Sequence, residues 1–194
     1  RKADDIDPDV FDNGIDDGIF AKIVACIRIA VPYTGMIVST RESAECRKRL
    51  LELGISQVSG GSKTSVGGYF QPMPEKEDSA QFDVSDRRPL DEVIKWLMEL
   101  GYLPSFCTAC YRNGRTGDRF MEICKDKQIH NFCHPNAILT LKEYLEDYAS
   151  PETKEVGEKL ISKEQKTLEC PECVKLKVAE DLEKIEQGGR DYNF

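Results

Sequence analysis

Two short apolar runs, Gly35–Ser39 and Ile55–Ser59, each follow a helical pattern after only a few residues. That helix–strand–helix–strand rhythm constrains the chain to a parallel α/β unit, because parallel neighbours need a crossover long enough to hold a helix. The first helix is predicted over Gly18 to Ala30, capped by Asp16 or Asp17 and stopped by Pro32. Ile19, Ile23, Cys26 and Ala30 recur at helical spacing and form its expected inner stripe. The second runs from Ala44 to Leu53, with Ser43 as cap, Cys46, Leu50 and Leu53 facing inward, and Gly54 as its terminating glycine. A polar loop from Gly60 to Ser85, Gly-rich and then acidic, follows the second strand. Loops of that length in a compact domain are usually functional or mobile. A third helix, Leu90 to Leu100, starts after Pro89 and carries Trp96, the sole tryptophan, expected in the core. Next come a cysteine-bearing segment from Tyr102 to His134, a helix from Pro135 to Tyr148, and a strongly charged stretch to Phe194.

Bulk properties remove several function classes. The net charge of −8 argues against nucleic acid as a partner, since phosphate binding needs a basic face. No apolar run approaches the roughly 20 residues of a membrane span. The chain begins with Arg1 and shows no signal-peptide pattern, so it reads as a piece of something longer. Without a secretory signal, its eight cysteines suggest metal or redox use rather than disulfides. Cys26, Cys46 and Cys124 fall within helical apolar patterns and are expected to be buried and inert.

Cys107, Cys110 and Cys133 are different. Their C-x2-C-x22-C spacing puts two thiols on one turn and brings a third from a distant segment. Three thiolates suit an inorganic centre with one coordination position left open. A closed zinc site wants four ligands, and His130, His134 or the Cys170-Pro-Glu-Cys173 pair could complete one. A 4Fe–4S cluster held by three cysteines would leave one iron free. Spacing alone leaves zinc, a cluster and no metal open, with zinc first. Arg112 and Arg115, with Gly114 and Gly117, make a flexible cationic loop just after Cys110 that could lower thiol pKa or bind an anion. The bland reading of that loop is a solvated turn.

Two strand ends make a second candidate site. Ser39-Thr40-Arg41 follows the first strand and Ser59-Gly60-Gly61-Ser62 the second. In an α/β barrel these positions lie on the C-terminal rim, where active-site residues collect. Arg41 offers a planar fork for a carboxylate, and the glycines let backbone N–H groups approach a ligand closely.

Taken together, these residues resemble a radical S-adenosylmethionine tyrosine lyase of the branch that matures FeFe-hydrogenase. The resemblance covers Asp5 to His134, and the rest more loosely. It is carried by the C-x2-C-x22-C spacing, by the run from Ile27 to Arg41, and by Gln57 to Ser62. The thiamine-pathway tyrosine lyase is similar through the Ser-Thr-Arg and Ser-Gly-Gly regions but has a different cysteine pattern. The spacing therefore turns the preference from zinc to a cluster.

The resemblance implies an α/β fold: the C-terminal portion of a TIM-type barrel (residues 1–101) and a mainly helical auxiliary-cluster domain with a charged helical tail (102–194). It implies a reaction in which S-adenosylmethionine, cleaved at a first 4Fe–4S cluster, yields a radical that acts on tyrosine. p-Cresol leaves, and the dehydroglycine (2-iminoacetate) remainder becomes CO and cyanide. These are assembled on an additional iron at an auxiliary 4Fe–4S cluster, giving an iron carbonyl–cyanide precursor of the hydrogenase H-cluster. Cys107, Cys110 and Cys133 would hold that auxiliary cluster. Ser39 and Arg41 would meet the tyrosine substrate, Arg41 on its carboxylate, and Ser59, Gly60 and Gly61 would line the cofactor. The implied setting is cytoplasmic, with other hydrogenase maturation proteins as partners and neither nucleic acid nor membrane. The radical-generating C-x3-C-x2-C motif occurs nowhere in these 194 residues. The chain alone is therefore expected to release no p-cresol from tyrosine when given S-adenosylmethionine and a reductant, and chromatographic detection of p-cresol would refute this.

Overall fold

The structure, a computed structural model, describes residues 13–70 and 83–194. The chain divides into two compact units, Arg1–Leu90 and Asp91–Phe194. The acidic half of the long loop, residues 71–82, lies outside the described residues.

The first unit is built as the helix–strand rhythm requires. Helix α1 (Asp17–Ala30) is capped by Asp16, whose carboxylate accepts from the Ile19 N–H at 2.7 Å. Strand β1 (Ile37–Val38) leads to α2 (Ala44–Glu52), where the Ser43 hydroxyl accepts from the Cys46 N–H at 3.1 Å. Gly54 ends α2 with φ of 94°, a value that favours glycine. Strand β2 (Gln57–Val58) then pairs parallel to β1, with Ile37 opposite Gln57 and Val38 opposite Val58. Both strands are shorter than the apolar runs that announce them, since only two residues of each enter the ladder.

The inner face of α1 departs from the expected stripe. Ala21 and Val24 are buried, whereas Ile19, Ile23, Ile27 and Cys26 are exposed. Helix α1 packs against α2, and a close helix–helix approach favours small side chains over isoleucine. Arg28, which interrupts the apolar run, staples the end of α1. Its Nε and Nη2 donate to the Gly54 carbonyl at 3.1 and 2.6 Å, and its Nη1 to the Pro32 and Thr34 carbonyls at 2.8 and 2.9 Å. Cys46 is buried as expected.

The second unit is helical: α3 (Leu90–Glu99, Leu90 lying at the boundary), α4 (Ala109–Arg112), α5 (Gly117–Lys125), α6 (His130–Asp147), α7 (Pro151–Thr167) and α8 (Glu172–Glu186). Its core gathers Ile94 and Met98 from α3, Ile138, Leu141 and Leu145 from α6, Leu160 and Ile161 from α7, and Val178, Leu182 and Ile185 from α8. Trp96 is only half-buried; Val93, Ile94, Leu97 and Met98 form the buried face of α3 instead. Helix α7 opens on a strong start signal: Ser150 caps it and Pro151 occupies the first turn. Gly157 lets α7 close on α6, because a Cβ there would lie 2.4 Å from Leu145 Cδ1. Lys142, 3% exposed, joins three helices through Glu158 at 2.6 Å, Glu186 at 2.8 Å and Glu146 at 3.1 Å.

Helix α6 begins five residues before the expected start at Pro135. The preceding turn makes this possible. Asn131 and Phe132 donate to carbonyls three residues back, and Cys133 donates to Ile129 at 2.8 Å. Pro135, the sixth residue of the helix, has no N–H to give the Asn131 carbonyl four residues back, so one rung of the ladder is missing there.

Candidate cysteine centre and strand-end rim

The second unit brings the three cysteines together from two chain segments. Cys107 and Cys110 flank the start of the short helix α4, and Cys133 stands in the first turn of α6. The Ala109 N–H donates to Cys107 Sγ at 3.4 Å. The Arg115 N–H donates to the Cys110 carbonyl at 2.8 Å and fixes the loop behind it.

Burial, and then the neighbouring sulfurs of Cys110, Cys107 and Cys124, push the Cys133 thiol up to about 11, against the pull of Arg115. Cys133 as a residue is exposed, so the upward direction rests on the three nearby sulfurs more than on burial. Burial, followed by Cys110, likewise raises Cys124. Cys124 is therefore no isolated core thiol, as its helical pattern suggested, but a fourth sulfur beside the triad. Thiols that repel one another as thiolates need a cation among them, and a bound metal deprotonates its thiols outright.

Four sulfurs around one zinc at about 2.3 Å stand roughly 3.8 Å apart. Among the described residues, the one group of three or more potential ligand atoms lying within 4.8 Å of one another is Asp17, Glu42 and Cys46. The triad is not drawn that close, so at least one pair of its ligand sulfurs stands more than 4.8 Å apart. The histidines do not tighten it. His134 Nε2 lies 2.9 Å from Glu164 Oε2. The Cys170 thiol is raised by burial first, and the ionisable groups that act on it are Lys175, Cys173 and Glu172, not the triad.

In the first unit the strand ends come side by side. The parallel register sets Val38 opposite Val58, so Ser39–Arg41 and Ser59–Gly61 leave the ladder at the same end. The Ser59 N–H donates to the Val38 carbonyl at 3.0 Å. Ser39 Oγ accepts from the Arg41 N–H at 3.3 Å, and both residues are exposed. Gly61 has φ of 61°, and a Cβ there would lie 3.3 Å from the Leu90 nitrogen.

Two side chains that sequence reading missed hold this rim. Arg47, fully buried, pairs with Asp86 and also donates to the Ser59 carbonyl. The Asp86 N–H donates to the Thr40 carbonyl at 2.9 Å, and its carboxylate also takes Arg88 Nε at 2.9 Å and Nη2 at 2.7 Å. One buried ion pair therefore grips the ends of both strands and the middle of α2. The hydrogen bond from Arg88 leads in holding the Asp86 carboxyl below its usual range. Burial pushes Arg47 down while Asp86 pulls it back, and an arginine stays protonated at any working pH.

Among the described residues no helix is long and apolar enough to cross a membrane.

Comparison with known proteins gives concordant results. Residues 5–103 match the Biotin and Thiamin Synthesis associated domain. A 75-residue stretch, 39% of this chain and 19% of the relative, is 37% identical to the 2-iminoacetate synthase of Escherichia coli strain K12. The 2-iminoacetate synthase of Salmonella typhimurium is 33% identical over 90 residues, 46% of this chain and 23% of its own. The crystal structure of HydG, a maturase of the FeFe-hydrogenase, aligns with the whole of this chain at a TM-score of 0.92 and 50% identity, over 41% of its own length. The chain thus spans less than half the length of the relatives it matches. The chain thus belongs to the Biotin and Thiamin Synthesis associated domain family through residues 5–103, and over its whole length it is similar to HydG.

Proposed function

We propose that this chain is the auxiliary-cluster region, with the adjoining last part of a TIM-type barrel, of a tyrosine lyase that supplies CO and cyanide for an FeFe-hydrogenase. The domain boundary near residue 101 and the roles of the rim residues belong to this proposal. The observation that carries it is the gathering of Cys107, Cys110 and Cys133 from two chain segments, next to a fourth thiol, in a chain that aligns throughout with HydG.

In this reading the three thiolates hold a 4Fe–4S cluster, which when bound supplies an open iron site for an additional iron carrying CO and cyanide. The chain's own residues do the positioning. Ala109 N–H and the Cys110 loop fix two sulfurs, and the first turn of α6 presents the third. Arg41 offers two parallel N–H donors to the tyrosine carboxylate, with Ser39 beside it. Ser59, Gly60 and Gly61 bring backbone N–H groups to S-adenosylmethionine, where a side chain would obstruct the approach. Radical generation needs a further cluster on cysteines that are not among these 194 residues. Other hydrogenase maturation proteins, in the cytoplasm, would receive the product.

The zinc-stabilised binding module with three cysteines and one histidine is the alternative. The test is anaerobic reconstitution of this chain with iron and sulfide, followed by EPR after reduction. Wild type is expected to show a cluster signal, and Cys133→Ala to lose more than about nine-tenths of it, since two thiolates would leave two irons without a protein ligand. An unchanged signal in Cys133→Ala overturns the triad. Stoichiometric zinc that resists the treatment supports the alternative.

A further inference from the structure

Arg115 is buried, 8% exposed, and incompletely used. Its Nη2 donates to the Phe194 carbonyl at 2.5 Å, and its guanidinium carbon lies 4.5 Å from the Phe132 ring centroid. Its Nε is buried with no hydrogen-bond partner. Native structures rarely keep a buried donor idle, and one on a cation is the more unfavourable case. The other arginine of the loop is unlike it. Arg112 is half exposed and gives Nη1 to both Asp191 oxygens, at 2.6 and 2.8 Å. One arginine's charge is matched at the surface; the other is buried over Phe132, the residue before Cys133, with its backbone N–H on the Cys110 carbonyl at 2.8 Å.

The guanidinium is also held in place. Phe194, its acceptor, is fixed by Asn136, whose Oδ1 accepts from the Phe194 N–H at 2.9 Å and whose Nδ2 donates to the Phe194 carbonyl at 3.4 Å. Lys177 lies 4.2 Å from the Phe194 ring centroid. Stacking on Phe132 fixes the guanidinium plane. A buried, unpaired donor on a residue whose backbone holds the Cys110 carbonyl and whose guanidinium stacks on the neighbour of Cys133 points to a sulfur-bearing, electron-rich partner.

We propose that Arg115 donates its Nε–H to a sulfur of the iron–sulfur centre on Cys107, Cys110 and Cys133, and so sets that centre's reduction potential. The inference rests on the cluster reading of the triad. Hydrogen bonds to cluster sulfurs and nearby charge are the levers by which a protein tunes such a potential. A permanent cation with a donated N–H stabilises the more negative, reduced state and raises the potential.

The test is an EPR-monitored redox titration of the reconstituted chain. Arg115→Met is expected to keep the cluster and to shift its reduction equilibrium about tenfold toward the oxidised state, ~59 mV for a one-electron couple. Arg115→Lys keeps the charge without the Nε–H and should recover only part of that shift. Arg112→Gln, on the surface of the same loop, should titrate like wild type. A loaded Arg115→Met with an unchanged potential overturns the proposal. If Arg115→Met does not load, Arg115→Lys decides: a wild-type potential there overturns it as well. A wild-type chain that shows no cluster signal would instead refute the reading of the triad.

Discussion

Asp86→Asn is expected to destabilise the α/β unit by about 3–5 kcal/mol, the range for removing one partner of a buried ion pair. The substitution preserves shape and strips the charge that Arg47 was buried against, and both side chains are at most 2% exposed. The strand ends lose their common grip, because Arg47 also holds the Ser59 carbonyl while the Asp86 backbone holds Thr40. Amide hydrogen exchange should show the effect as lost protection in α2 and at Ser59. Retained protection there would show that the pair contributes little. Replacing both partners by leucine should recover most of the loss, since an apolar pair of similar volume is often neutral or better. The pH dependence has a definite sign. The folded Asp86 carboxyl lies below its ordinary value, so its contribution is complete above the unfolded value near about 3.9 and is lost as pH falls through the folded one. The gap between wild type and Asp86→Asn should therefore close only in that acid window.

Much of this architecture is legible in the sequence wherever a local signal fixes it. Asp16 and Ser43 cap their helices because a short side-chain acceptor precedes an apolar run, and Gly54 stops α2 because it can take a positive φ. The parallel pairing follows from the crossover length. The illegible features depend on partners far along the chain. Whether Ile23 or Val24 faces inward depends on how closely α2 approaches, which helical spacing does not report. Arg47 and Asp86 are 39 residues apart, and Arg115 meets Phe194 across 79. An arginine in a Gly-rich loop looks solvated until the segment Asp191–Phe194 returns to cover it. Cys124 was hidden by its own helical pattern, which said nothing of the sulfur beside it. In α8, Val174, Val178, Leu182 and Ile185 do repeat at helical spacing, but the surrounding charge masks the stripe.

Lys142→Met should destabilise the helical unit by about 3 kcal/mol, the low end of the range for breaking a buried charge pair. The discount reflects exposure: Glu158 and Glu186 are 38% and 60% exposed, and water screens them when the ammonium is gone. Glu146 keeps Lys154 at 2.5 Å, so two carboxylates, not three, lose their only close cation among the described residues. Methionine preserves the apolar stem, so the loss reports the charge rather than a cavity. In wild type, burial opposes the ammonium but its hydrogen bonds to Glu158, Glu186 and Glu146 prevail, and the folded pKa is raised. The stabilisation is then complete below the unfolded value of about 10.4 and falls away as pH rises above it. Trp96, half-buried on α3 in the same unit, gives a fluorescence signal for unfolding. The consequence reaches the cysteines because Lys142 and Cys133 share α6. A helix that frays at its charged centre presents Cys133 less firmly, so cluster loading should fall with stability. Full loading in a destabilised Lys142→Met would show that the first turn of α6 is held by Ile129 and its neighbours alone.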